Sequence, residues 1–205
     1  MKQLAGIVLC GGGSTRMGQP KAWLPIAAEL MLPRIVRLLS QVVSPVIVVG
    51  AASQDLPPLP ADVIITRDPA PARGPLVGLA AGLAAVTAEA AYVSSCDVPL
   101  LRPAFVRRMI NLLGDFDAAV PEVDGRLHPL AAVYRREVRT IAESLLSSGE
   151  RRLTHLLSVL RTRIVTAAEL AEADPGLSSL RNVNTPDDLA AAVRDARGWS
   201  STDFH

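Results

Sequence analysis

A chain of 205 residues, 49% hydrophobic and 20% charged, has a globular rather than a disordered composition, and its length fits one domain of ~100–200 residues. With 21 Lys and Arg against 20 Asp and Glu, the net charge is +1, which argues against a general nucleic-acid binder that needs a basic surplus. Aromatics at 3% are poor material for base stacking, and two cysteines, Cys10 and Cys96, cannot alone build a disulfide framework or a zinc site.

The N-terminal apolar run passes straight into Gly-Gly-Gly, so residues 4–10 read as a first strand rather than a signal peptide. Short β-branched runs at 46–50, 63–66, 91–95 and 118–120 read as further buried strands. Helical patterns lie between them at 32–43, 76–88 and 103–113, with Pro33 and Pro103 suited to first turns. Val123-Asp124-Gly125-Arg126 reads as a tight reversal with Asp-Gly at its centre, followed by a strand at 130–134. Residues 136–147 and 152–160 read as helices, 163–165 as a short strand, and 186–197 as a closing helix with Thr185 as its N-cap. Asp187 and Asp188 then complement the helix dipole in the first turn.

This alternation implies an α/β fold of three layers around a mostly parallel, doubly wound, Rossmann-like sheet, with a small β-hairpin excursion. Residues 1–197 are expected to form a single domain and 198–205 a disordered polar tail. No stretch approaches the ~20 apolar residues of a spanning helix, so the expectation is a soluble, cytoplasmic protein with no membrane partner.

The most informative stretch is Leu9-Cys10-Gly11-Gly12-Gly13-Ser14-Thr15-Arg16-Met17-Gly18-Gln19-Pro20-Lys21. Glycines directly after a buried strand let backbone N–H groups approach an anion without a Cβ in the way. Arg16 adds a planar fork of donors, and Lys21 a mobile point charge. A P-loop would need Lys-Ser/Thr where Gln19-Pro20 stands, and a dinucleotide loop a third glycine where Arg16 stands. A strand-to-helix turn with two solvated basic residues is the plain alternative, and Arg16, Gly18 and Lys21 at these spacings weigh against it.

The loop resembles the signature of the MobA-like nucleotidyltransferases, L-A-G-G-x-x-x-R-M-G-x-x-K. The match continues through Gly74-Pro75-Leu76-Val77-Gly78-Leu79, Cys96-Asp97-Val98-Pro99, His128-Pro129, Gly149-Glu150-Arg151-Arg152 and Asn182-Val183-Asn184-Thr185-Pro186, in the family's order and over nearly the whole chain. Among these enzymes it is most similar to the molybdenum cofactor guanylyltransferases. Two departures are Cys10 for the usual Ala, and Gly50 where those enzymes often carry an Asn near the nucleotide.

The resemblance implies a nucleotidyltransferase fold and transfer of GMP from GTP to the terminal phosphate of molybdopterin, with pyrophosphate released. It places Leu9, Cys10, Gly11, Gly12, Gly13, Arg16, Lys21, Asp68, Gly78 and Asp97 around the nucleotide, with Arg16, Lys21 and Asp97 as the catalytic residues. Asp97 is the implied Mg²⁺ ligand. A lone carboxylate at a strand's carboxyl end suits an ion that keeps much of its hydration, with a helix cap before Pro103 as the local alternative. For Asp68 the alternative is an Asx turn before Pro69.

The resemblance puts Asn182 and Asn184 on the side of the second substrate, and their alternation sends both amides the same way in extended chain. A turn before the last helix would explain the same residues. His128, Arg151 and Arg152 could meet the substrate phosphate, although Arg151 and Arg152 also fit a solvated helix start. The expected partners are GTP and molybdopterin as substrates and molybdoenzymes or their chaperones as recipients. Gly11 and Gly78 favour GTP over CTP, because related CTP enzymes carry Ala and Ser there. A cytidylyltransferase, a guanylyltransferase for another phosphorylated acceptor and a catalytically silent nucleotide-binding module remain the rival readings.

Overall fold

In the computed structural model, residues 4–11, 19–68 and 74–198 are described. Gly12, Gly13 and Arg16, together with the tail beyond 198, lie outside them.

The chain runs β1 (Ala5–Leu9), a 3-10 turn (Lys21–Trp23), β2 (Pro25–Ile26), β3 (Glu29–Leu30), α1 (Met31–Ser40), β4 (Val46–Ala51), β5 (Ile64–Asp68), α2 (Pro75–Ala84) and β6 (Ala90–Ser95). It continues with α3 (Pro103–Asn111), β7 (Ala118–Val123), β8 (Arg126–Leu127), β9 (Ala131–Arg135), α4 (Val138–Ser147), α5 (Leu153–Val159), β10 (Thr162–Thr166), α6 (Ala167–Leu170) and α7 (Pro186–Gly198). Among the described residues the main sheet has eight strands, in the order β10-β7-β9-β6-β1-β4-β5 with β8 paired to β7. β1 runs parallel to β4 and β6, β4 parallel to β5, and β10 parallel to β7, while β9 runs antiparallel between β6 and β7.

Hydrophobic side chains fill both faces. On one, Leu32, Ile35 and Leu39 of α1 and Phe105, Val106 and Met109 of α3 pack on Val8, Val48 and Tyr92. On the other, Leu76, Leu79 and Leu83 of α2, Val138 and Ala142 of α4 and Leu156 of α5 pack on Ile7, Ile47 and Val93. Such two-sided cover is why the central strands are continuous apolar runs instead of alternating ones. Among the described residues no helix is long and apolar enough to cross a membrane.

The expected reversal is the β7–β8 hairpin: Val123 pairs with Arg126, and Asp124 (φ 51°) and Gly125 (φ 71°) make the left-handed turn that an Asp-Gly pair tolerates. Thr185 caps α7 as expected. Its Oγ1 accepts the Asp188 N–H at 3.1 Å, and the Asp188 carboxylate accepts the Thr185 N–H at 2.9 Å.

The structure differs from the sequence reading in several places. β5 is an edge strand, not a buried one, and leaves Ile64 and Ile65 41% and 49% exposed, because β4 is its single neighbour. α2 stops at Ala84, short of the expected residue 88. The β2–β3 hairpin was not foreseen; it lays Ile26 into a small third cluster with Leu24, Met31, Val183 and Ala192, which ties the segment after Lys21 to α7.

Candidate active site

β1 lies between β4 and β6, so the chain leaves β1 first to one side of the sheet and later returns to the other. Ligands of open α/β sheets bind in the crevice beyond the carboxyl ends of strands at such a reversal. Cys10 and Gly11 follow β1 at this point, and Cys96 and Asp97 follow β6. The ladder carries on past the strands, with Cys10 N–H donating to Val49 O at 2.8 Å and Cys96 N–H to Leu9 O at 3.0 Å.

Four residues singled out in the sequence meet here. Lys21 Nζ donates to Asp97 Oδ2 at 2.6 Å and to Asn184 Oδ1 at 2.8 Å. Asn182 Nδ2 donates to Asp97 Oδ1 at 2.7 Å. The intervening Val183 is buried in the β2–β3/α7 cluster, and its N–H donates to Asp97 O at 2.9 Å. One buried apolar residue thus turns the Asn182 amide to the carboxylate and the Asn184 amide to the ammonium paired with it. Asp188 holds the far end by accepting the Asn184 N–H at 3.0 Å, so the cap of α7 also sets the cluster.

Ser95 was not anticipated. Its hydroxyl donates to Asp97 Oδ1 at 2.6 Å. Its position two residues before Asp97, at the end of an apolar strand, was the signal available in the sequence. The Lys21 and Asp97 side chains are 17% and 14% exposed, so their attraction is screened far less than that of a surface pair.

Cys10 and Cys96 sit beneath this cluster, both buried. The interaction between the two thiols pulls Cys10 below the ordinary thiol value, and the same interaction together with burial pushes Cys96 above it. Gln54 clamps the same strand ends: its Nε2 donates to Cys10 O at 3.0 Å, and its Oε1 accepts the Ala51 N–H at 3.0 Å.

The other predicted residues are placed as follows. Gly11 is exposed, and Asp68 closes β5 opposite Ala51. Gly78 is buried in α2, where a Cβ would rest 3.5 Å from the Leu9 side chain. His128 lies between β8 and β9; burial, aided by Arg126, lowers its pKa and favours the neutral ring. Arg151 spends one guanidinium nitrogen on the carbonyl oxygens of Leu146 and Glu150, both at 2.8 Å, so it closes the end of α4. Arg152 pairs with Glu150, whose carboxyl is held well below the usual range by that side chain and by the Arg151 and Arg152 N–H groups. None of these hydrogen bonds of Arg151 and Arg152 reaches the Lys21–Asp97 cluster. The Arg151 turn instead abuts the head of α2, where a Cβ on Gly74 (φ 96°) would lie 3.1 Å from Arg151 O.

Asp97 offers hard oxygen donors at a strand end, and among the described residues no group of three His, Cys, Asp or Glu side chains forms a metal cage. One carboxylate completed by phosphate oxygens and water fits a divalent cation of the magnesium type, and does not fit a soft or imidazole-seeking metal. The Lys21 ammonium on Oδ2 shows that a cation is accommodated at this oxygen.

The profile of the MobA-like NTP transferase domain matches residues 6–170. The molybdenum cofactor guanylyltransferase of Desulfosudis oleivorans is 32% identical over 194 residues, covering 94% of this chain and 95% of that protein. A probable molybdenum cofactor guanylyltransferase of Mycobacterium tuberculosis is 37% identical over 202 residues, covering 95% of each. Among solved structures, molybdopterin-guanine dinucleotide biosynthesis protein A from Archaeoglobus fulgidus superposes with a TM-score of 0.80 at 21% identity, covering 96% of this chain and 100% of that one. The 2-C-methyl-D-erythritol 4-phosphate cytidylyltransferase from Thermus thermophilus shares the fold with a TM-score of 0.73 at 17% identity, over 95% and 100%. The profile match and the near full-length relatives agree with the loop and the strand-end cluster: the chain belongs to the MobA-like NTP transferase family.

Proposed function

We propose that this protein transfers GMP from GTP to the terminal phosphate of molybdopterin and releases pyrophosphate. The observation that carries the proposal is the Lys21–Asp97–Asn182–Asn184 cluster at the carboxyl end of the sheet, beside the start of the glycine loop. The names of the near full-length relatives supply the substrates.

In this reaction an oxygen of the acceptor phosphate forms a bond to the α-phosphorus. The bond from that phosphorus to the bridging oxygen breaks, and pyrophosphate departs with the electron pair. The nucleophile is already an anion near neutral pH, so no strong general base is required, which suits a chain whose three histidines are widely spaced in the sequence. The demands are positioning and neutralisation of charge.

Lys21, held by Asp97 and Asn184 before substrate arrives, supplies a fixed positive charge for the triphosphate. Asp97 would hold Mg²⁺, which when bound offsets phosphate charge as a Lewis acid. Gly11, Gly12, Gly13 and Arg16 would wrap the phosphates, with Leu9, Cys10, Asp68 and Gly78 around the nucleoside. Asn182 and Asn184 would orient the acceptor side with His128. Arg151 is assigned a lesser part, setting the turn against α2 from which Arg152 extends. The setting is the cytoplasm, where the nucleotide is available.

The test is magnesium-dependent pyrophosphate release with GTP, CTP and ATP, each with and without molybdopterin. Release with GTP that depends on molybdopterin is expected. Release with CTP alone would reassign the base, and no release with any nucleotide would leave a binding module.

A further inference from the structure

Gly50, at the end of β4, is glycine for a reason visible in its surroundings. A Cβ there would lie 2.9 Å from Nη1 of Arg67 on the neighbouring strand β5. The guanidinium occupies that space, and Nη1 donates to Gln54 O at 2.7 Å and Ala51 O at 3.1 Å. Its Nε and Nη2 donate to no described residue. Gln54, in turn, binds Cys10 O and Ala51 N–H, so Arg67 is tied through Gln54 to the residue that opens the glycine loop. Gly11 borders the same place, since among the described residues a Cβ on it would find Ala51 N nearest, at 3.8 Å. Arg67 therefore stands at the carboxyl ends of β4 and β5 with one side anchored and, among the described residues, one edge of N–H donors uncommitted.

We infer that Arg67, seated in the notch left by Gly50, forms a wall of the nucleobase subsite and donates to the base. This inference rests on the proposed nucleotidyl transfer only for the presence of a nucleotide. A guanidinium edge matches the paired acceptors O6 and N7 of guanine, whereas adenine presents an amino donor in place of O6. Arg67 thus favours guanine over adenine. A purely structural Arg67, bracing the 51–54 turn, would affect stability and not base preference.

The experiment measures equilibrium binding of GTP and of ATP by calorimetry for the wild type, Arg67→Ala, Gly50→Ala and the double variant, with melting temperatures in parallel. The Gly50→Ala methyl meets the far end of a flexible side chain, so this variant is expected to fold and to evict the guanidinium. The wild type should prefer GTP, and Arg67→Ala should cut that preference about tenfold or more, the scale of one guanidinium–base pair. Gly50→Ala should reproduce the loss, and should add nothing once Arg67 is gone. An unchanged GTP-to-ATP ratio in folded Arg67→Ala overturns the inference, as does a wild type without preference. GTP preference that depends on Arg67, in a protein that transfers no GMP to molybdopterin, overturns the proposed reaction and leaves the inference standing. Binding of neither nucleotide overturns both.

Discussion

Lys21 Nζ lies 2.6 Å from Asp97 Oδ2 and 2.8 Å from Asn184 Oδ1, which joins three segments distant in sequence at one cation. Each segment is fixed by contacts besides this cation: Lys21 by a 3-10 turn, Asp97 by its backbone bond to Val183, and Asn184 by the α7 cap. The cluster is therefore set before any nucleotide arrives, which lowers the reorganisation required when charge shifts in the reaction.

Asp97→Asn removes the one negative charge of this cluster and turns an amide donor toward either Lys21 or Ser95. Its backbone contact is unaffected, so the variant should fold with a melting temperature close to wild type. Turnover should fall by about 10²–10³ or more, as for the loss of a preorganised charged group. Steady-state rates at saturating magnesium, together with circular dichroism, test this; wild-type turnover would remove Asp97 from the metal role.

Lys21→Ala should lower kcat more than it raises the KM for GTP, because charge builds on the leaving pyrophosphate during the step. It also frees Asp97 Oδ2 from the ammonium that occupies it, so the variant should need less magnesium to saturate. A collapse of GTP affinity with unchanged turnover would make Lys21 a binding residue only.

The sequence revealed the strands, their parallel arrangement and the β7–β8 reversal, because apolar runs and an Asp-Gly pair are local signals. The same holds for the Thr185–Asp188 cap, where the side chains that define the helix start are neighbours. The β2–β3 hairpin was not legible: its strands have two residues each, and its turn uses Ala27 at φ 53° in place of a glycine or asparagine. α6 carries a local signal in the capping box of Thr166 and Glu169, but its four residues are too few to show a helical apolar period. Lys21, Asp97 and the two asparagines were picked out one by one. Their bonding to one another depends on tertiary packing that no local pattern encodes, and the same is true of the fit between Gly50 and Arg67.

Gly82→Ala should destabilise the fold. The residue lies inside α2, where alanine would by itself favour the helix by ~1 kcal/mol. Its Cβ, however, would lie 2.7 Å from Ile7 Cγ2 and 3.2 Å from Val49 Cγ2, both in buried side chains of the sheet. Overpacking of this kind costs ~1–3 kcal/mol, so the net effect is a loss of up to roughly 2 kcal/mol and a lower urea midpoint. A midpoint equal to or above that of the wild type would show that α2 can lift from β1 without strain.

Base choice is tested at Gly11 and Gly78. Among the described residues a methyl on Gly11 meets nothing closer than Ala51 N at 3.8 Å, so the crowding expected from it falls on the ligand. A purine reaches further than a pyrimidine and should suffer more. A Cβ on Gly78 rests in ordinary contact with Leu9, 3.5 Å away, so Gly78→Ser should be accepted by the fold and bring a hydroxyl beneath the strand that leads into the loop. That hydroxyl can bond back to the helix carbonyl at Gly74, and its effect on the base is exerted through Leu9. The Gly11→Ala/Gly78→Ser double variant should therefore shift the kcat/KM ratio from GTP toward CTP, most of the shift coming from Gly11. One methyl clash or one misplaced hydrogen bond is worth ~1–3 kcal/mol, a change of ~10–200-fold in the ratio. Competition between GTP and CTP for the same acceptor, run on the wild type, each single variant and the double, gives the measurement. If the folded, active double variant keeps the wild-type ratio, neither glycine selects the base, and the selection must come from the β4–β5 side of the subsite, where Arg67 stands.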